Sequence, residues 1–238
     1  MKKFTFIAFI VILIASCGSG RQATSAVEPD SYSTVDTFIT QSLFNDRNSG
    51  ISEENIRRIL DGEYQLPEKL RVAIVRLENP QQRTHYRYYW ANENYLKTQQ
   101  SYLDLFALKF KESPRVTDIS IIPDIIISKS PTYTSLREAA VRMQADIVVV
   151  YSVTSDLYSK YKLFSKSEVK AFATTQLVVV DVRTGLIPFS SIVTMDVLSQ
   201  KKKEELDLTE TQNRVQHEAV LLTIDEIGKR IAGFLNKQ

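Results

Sequence analysis

The side chains that could do chemistry are few in this chain. There is one cysteine, Cys17, and two histidines, His85 and His217. Metal centres gather several His, Cys or carboxylate ligands at coordinated spacing, and neither histidine has such neighbours, so no metal ligand is assigned. Seven glycines form no phosphate-cradling loop and no strained nucleophile elbow. The acid pairs Glu53-Glu54 and Glu204-Glu205 read as solvated helix faces, and His217, beside Gln216 and Glu218, reads as exposed. No catalytic residue and no cofactor is expected. The richest stretch is Arg83-Thr84-His85-Tyr86-Arg87-Tyr88-Tyr89-Trp90-Ala91-Asn92-Glu93-Asn94-Tyr95. Tyr, Trp and Arg dominate binding hot spots because they bring large contact area at low entropic loss. Arg87, Tyr88, Tyr89 and Trp90 are the candidate partner-binding residues. The competing reading has these rings covering a sheet edge.

Cys17 is explained by what precedes it. Lys2 and Lys3 open the chain, Phe4 to Ala15 form an apolar run broken by Thr5, and Ile14-Ala15-Ser16 lead into the cysteine. A positive start, a short apolar run and small residues before a cleavage point define an export signal. The run is shorter than the roughly 18–20 apolar residues that span a bilayer. Its ending resembles the bacterial lipoprotein signal. That resemblance implies cleavage before Cys17, a thioether to diacylglycerol at its sulfur, and a chain held by two or three acyl groups. A lone thiol in an exported chain has no partner for an internal disulfide. The organisation expected is a signal over 1–16, a lipidated cysteine and flexible tether over 17–30, a helical extension over 31–66 and a folded envelope domain over 67–238. Gly18 is not the acidic residue associated with inner-membrane retention, which points to the outer membrane, with the domain facing the periplasm.

The same cut balances the charge. Of 30 basic residues, Lys2 and Lys3 leave with the signal, and the remaining 28 equal the 28 acidic ones. A neutral chain has no electrostatic footprint for nucleic acid. The 222 residues after position 16 of the 238 suffice for one ordinary domain.

The elements that must position the aromatic stretch follow from periodicity. Val35, Phe38, Ile39 and Leu43 recur at helical spacing, and "SEENIRRIL" has Ser52 as N-cap with acids in its first turn. Arg71 to Leu77 reads as a short β-branched strand between Pro67 and Pro80. Tyr95, Tyr102, Leu103, Phe106 and Phe110 trace a helix, and Val116–Ser128 is a strand region interrupted by Pro123. Thr132 or Thr134 can cap a helix bearing Leu136, Ala139, Ala140 and Met143. Asp146 to Val153 reads as a buried central strand, followed by a polar excursion over Ser155–Ser167. Val169–Val182 and Leu186–Leu198 form a hairpin around Thr184-Gly185. Thr209 or Thr211 starts a last helix with Val215, Ala219, Leu222, Ile224, Ile227, Ile231 and Leu235 on its apolar stripe. The order α-α-β-α-β-α-β-β-β-α gives an α/β fold with α+β character: a single mixed β-sheet of about five strands with helices packed on it.

Three landmarks, "LRVAIVRLEN", "SLREAAVRMQADIVVVYSVTSD" and "TQLVVVDVRTGLIPFSS", resemble an envelope superfamily. It comprises the curli secretion channel subunit, outer-membrane lipoproteins that activate penicillin-binding proteins, and the amino-terminal domain of the Tol translocation protein. The resemblance covers roughly residues 70–235. Asp181, Arg183 and Gly185 match its hairpin turn, where Gly185 is expected at positive φ and Asp181 or Arg183 holds the loop. Tyr151-Ser152 departs from the small glycine often found there. The resemblance implies an interaction or assembly part held to a membrane by its lipid, docking on an envelope protein or a glycan. The alternative is a subunit of an oligomeric secretion or transport assembly. Membrane-crossing hairpins need strands of about 9–11 residues with an apolar face, and the one candidate insert, "DLYSKYKLFSKSEVK", carries four lysines. An enzyme acting on envelope polymers ranks third.

Overall fold

The computed structural model describes residues 51–77, 93–127, 131–160 and 168–236. Cys17, the helical spacing over 31–50 and the aromatic residues Arg87, Tyr88, Tyr89 and Trp90 lie outside them. The elements run α1 (Glu53–Asp61), β1 (Leu70–Arg76), α2 (Glu93–Lys111), β2 (Val116–Ile121), a 3-10 turn (Asp124–Ile126), α3 (Tyr133–Arg142), β3 (Ile147–Lys160), β4 (Glu168–Asp181), β5 (Phe189–Gln200) and α4 (Leu208–Leu235). They build one mixed sheet of five strands, ordered β2-β1-β3-β4-β5. β1 runs parallel to both β2 and β3, and β3, β4 and β5 form an antiparallel meander. Among the described residues no helix is long and apolar enough to cross a membrane.

β1 is apolar on both sides because it is covered on both sides. Leu70, Val72 and Ile74 point into a core with Phe106 and Phe110 of α2, Ile147, Val149 and Tyr151 of β3, and Val215, Ala219, Ile224, Ile227 and Ile231 of α4. Ala73 and Val75 point the other way, onto Val148, Val180 and Leu136, Ala139 and Ala140 of α3. The α2–α4 crossing is close at Gly228. A Cβ there would come within 2.6 Å of the Lys109 stem, whose amine pairs with Asp225 at 3.1 Å.

Helix starts follow local chemistry. Ser52 accepts from the Asn55 amide, and Thr132 forms a reciprocal capping box with Ser135. For α4 the cap is Asp207, accepting from the Glu210 amide at 2.8 Å, so the helix starts at Leu208, ahead of both Thr209 and Thr211. Thr211 instead lies buried, donating to Glu205 at 2.7 Å. Glu205 is therefore no solvated acid. It is 8% exposed and accepts from Arg214, from Thr211 and from the Lys202 amide. The Arg214 guanidinium beside it pulls its carboxyl down to about 2. Arg214 also bonds Ser199 Oγ and the Gln200 carbonyl oxygen, which ties the start of α4 to the end of β5. On the helix stripe Leu222 is 49% exposed and Val220 is buried in its place.

Two other expectations change. β3 does not end at Val153 but runs to Lys160, paired with β4 throughout, so the first part of the polar excursion, 155–160, is strand, and 161–167 lie outside the described residues. His217 is not exposed: it is half-buried, stacks on Tyr102 with ring centres 5.3 Å apart and bonds the Tyr102 hydroxyl through Nδ1 at 2.9 Å. Burial lowers its pKa.

At the β4 turn, Gly185 has φ 77°. Asp181 Oδ1 accepts from the Thr184 amide at 2.7 Å and its hydroxyl at 2.8 Å, while Oδ2 accepts from Tyr64 at 3.1 Å. Arg137 of α3 donates to the Val182 and Arg183 carbonyls, and Tyr133 donates to that of Gly185.

Gly185→Ala forces a side chain into the left-handed region and is expected to lower stability by about 1–2 kcal/mol, read by urea unfolding. The depressed Glu205 carboxyl carries a pH signature. Its folded pKa lies below the unfolded value, so its stabilisation is present above about pH 4.5 and disappears as pH falls toward 2. Glu205→Gln should be less stable at neutral pH and show a shallower loss across that acid window; an unchanged slope would refute the assignment.

Candidate functional site

The parallel strands β2, β1 and β3 present their carboxyl direction at one edge of the sheet, where open α/β sheets collect ligands. At that edge Arg76 closes β1, opposite Tyr151 of β3, and the Leu77 amide donates to the Tyr151 carbonyl at 2.8 Å. Arg76 donates through Nη1 to Gln99 Oε1 of α2. β2 ends here as well, with the Ile122 amide donating to the Ile74 carbonyl at 2.9 Å.

The Tyr151 ring has a place of its own. It is 1% exposed and packs on Phe106 with ring centres 4.5 Å apart. Among the described residues its hydroxyl has no hydrogen-bond partner. Burial raises its pKa, Arg76 opposes that shift, and Asp104 and Asp124 add to it. One cation and two carboxylates therefore act on a buried phenol at the mouth of the sheet.

Around these groups the surface is apolar. Ile125 of the 3-10 turn is 93% exposed, Ile126 is 51%, and Ile121 at the end of β2 is 40%. Pro123 creates this feature by ending β2 and capping the short turn in extended backbone. The sequence reading noted Pro123 as an interruption but not the isoleucines it leaves bare. The signal was available: Asp124-Ile125-Ile126 has apolar residues adjacent to each other, which a turn of three residues cannot bury together.

The residues singled out from sequence are distributed unevenly. Asp181 and Gly185 come together at the β4 turn, far along the strands from this edge. Arg183 is beside them, with its guanidinium 3.5 Å from Asp146. Arg87, Tyr88, Tyr89 and Trp90 belong to the segment that follows β1 and are outside the described residues. Among the described residues no group of three or more His, Cys, Asp or Glu could hold a metal ion.

Neither a protein-family model nor a curated protein matches the sequence. Solved structures are similar in part. A minor lipoprotein from Acinetobacter baumannii is 11% identical, with 71% of this chain and 94% of that one covered and a TM-score of 0.34. A lipoprotein from Neisseria meningitidis is 14% identical, with 68% and 99% covered and a TM-score of 0.34. A PelC dodecamer from Paraburkholderia phytofirmans is 14% identical, with 67% and 89% covered and a TM-score of 0.29. No residue role is carried over from them.

A buried hydroxyl without a partner costs about 1–3 kcal/mol of desolvation. Tyr151→Phe keeps the ring on Phe106 and removes that burden. The variant is expected to be more stable than the parent by about 1 kcal/mol in urea unfolding, and a destabilised variant would show that the hydroxyl has a partner in solution.

Proposed function

We propose that this chain is a lipid-anchored interaction module of the bacterial cell envelope that captures a protein partner and performs no chemistry of its own. In this reading Cys17 carries the lipid, residues 17–30 form the tether, and the domain faces the periplasm from the outer membrane. The observation that carries the docking surface is the bare isoleucine group, Ile121, Ile125 and Ile126, at the carboxyl edge of β1 and β2. Chain connectivity supports it, since the segment bearing Arg87, Tyr88, Tyr89 and Trp90 begins where β1 ends at that same edge.

Charge favours a protein over a bilayer surface as the occupant. Membrane-binding faces set Lys and Arg around their apolar residues, whereas the acidic Asp124 immediately precedes Ile125. An apolar centre with a mixed-charge rim is the anatomy of a protein interface. The alternative, a membrane-crossing assembly subunit, needs a hairpin with one lipid-facing side. β3 and β4 are long enough, at 14 residues each, but beside the stacked pair Tyr158 and Phe172 their outer face carries Thr154, Asp156, Lys170, Thr174 and Gln176.

The test uses the full lipidated chain in intact cells, with a photocrosslinking residue at Ile125 and a control at Val141, which is 55% exposed on α3. A discrete protein adduct from position 125 and none from 141 is expected. Trp90→Ala with Tyr88→Ala should abolish that adduct and leave the thermal midpoint unchanged. Adducts to lipid or glycan, equal labelling at 141, or a large loss of stability with capture intact would each overturn the reading.

A further inference from the structure

β5 is an edge strand, and edge strands expose unpaired backbone N–H and C=O groups that proteins usually protect. The usual devices are missing from Phe189–Gln200. The strand holds one charged residue, Asp196, and no proline. Its register with β4 is unbroken from Val179↔Phe189 to Glu168↔Gln200, so no bulge turns the edge away. Among the described residues nothing pairs with its outer side. Two large aliphatic side chains, Ile192 and Leu198, are each 65% exposed on it.

The order of residue types along β5 reads the same from both ends. Outward from Met195 come Thr194 and Asp196, then Val193 and Val197, then Ile192 and Leu198, then Ser191 and Ser199. The burial alternation matches: Val193, Met195 and Val197 turn toward the helix layer, while Ile192, Thr194, Asp196 and Leu198 turn to solvent. A strand with this symmetry is complementary to a second copy of itself running antiparallel.

We propose that the protein forms a twofold dimer by pairing β5 with β5 of a second copy, the axis passing through Met195. In that register Ile192 faces Leu198 of the other copy twice over, Val193 faces Val197, Thr194 faces Asp196 and Ser191 faces Ser199. Every opposed pair agrees in polarity, which is the unit of sheet stabilisation. The neighbouring registers fail. An axis at Thr194 sets Ile192 against Asp196, and one at Asp196 brings two carboxylates face to face. An axis between residues would oppose helix-side and solvent-side positions. The contact is isologous and uses up the β5 edge, so it closes at two copies. It joins two five-stranded sheets into one, with both helix layers on the same side. This inference stands independently of the proposed partner, which uses the opposite edge of the sheet.

The experiment places cysteines in the full lipidated chain and reads disulfide-linked dimer in envelope membranes on non-reducing gels, with the native chain as background. In Met195→Cys the two thiols are direct partners, within reach of a disulfide. In Val193→Cys they are four residues apart in register, roughly 13 Å along the strand. Met195→Cys is expected to give at least about tenfold more dimer than Val193→Cys, and Val193→Cys combined with Val197→Cys should restore it. Adding Ile192→Lys and Leu198→Lys, two exposed positions whose change leaves the monomer's core intact, should abolish the Met195→Cys link with the thermal midpoint retained. No dimer from Met195→Cys, equal dimer from Val193→Cys, or a link that survives the two lysines would overturn the proposal.

Discussion

The carboxylate of Asp146 accepts three hydrogen bonds from Arg71, one from the backbone amide at 3.0 Å and two from the guanidinium at 3.0 and 2.9 Å. The backbone of Asp146 continues the pattern, donating to the Arg71 carbonyl and accepting from the Val182 amide. One residue thereby fixes the start of β1, the start of β3 and the end of β4. Arg71 holds the carboxyl below the ordinary aspartate range, so the clamp is ionised wherever carboxylates normally are. The turn beyond β4 is locked in its wake, through Asp181, Thr184 and the α3 side chains that reach its carbonyls. The amino end of the parallel strands is thus the end held by the dense hydrogen bonding of Asp146.

Coverage of the sheet follows from helix length. α4, at 28 residues, lies along β4 and β5, and α2 crosses it closely at Gly228, so one face is covered over most of its extent, with Ile121 of β2 left partly open. α3 has ten residues and closes only the part of the other face formed by β1, the start of β3 and the end of β4. The remainder of that face meets solvent, and it mixes polar residues with the exposed Tyr158, Ile192 and Leu198. Thr154, Thr174 and Thr194 lie in one row across three strands, with the Thr174 and Thr194 hydroxyls 2.9 Å apart. Lys170 and Asp196 pair at 3.0 Å.

Most of the fold was legible because most of its elements advertise themselves locally. Ser52 and Thr132 cap as their sequence contexts indicate, Gly185 sits at a turn only glycine takes easily, and β1 and the start of β3 are runs of β-branched residues. What sequence missed depends on partners far along the chain. Residues 154–160 look like loop because only one side of that strand is buried, and Leu157 alone betrays the alternation. Glu205 needs Arg214 to be buried, and Arg214 belongs to the next element. His217 has polar neighbours in sequence, and only the approach of α2 supplies Tyr102. The candidate site was half legible: the aromatic segment stood out by composition, but the bare isoleucines follow from how Pro123 ends β2.

Buried polar side chains in the described residues are matched almost throughout; Tyr151 and Ser113 hold the unpartnered atoms. A molecule that satisfies its interior so fully yet leaves Ile125, Ile126, Ile192 and Leu198 in water has placed its unmet contacts on the surface. Those residues fall at two separate places, the β2 side and the β5 side of one sheet. The order of strands makes the two surfaces compatible, because pairing through β5 leaves β2 and the carboxyl edge of β1 uncovered. A dimer would then carry both copies of the proposed partner site on a single continuous sheet and, in the proposed reading, two lipid anchors. Anchoring confines such a molecule to one surface, and two linked sites raise the effective concentration of the second binding event without any new contact. Weak single-site affinity is enough for capture under those conditions.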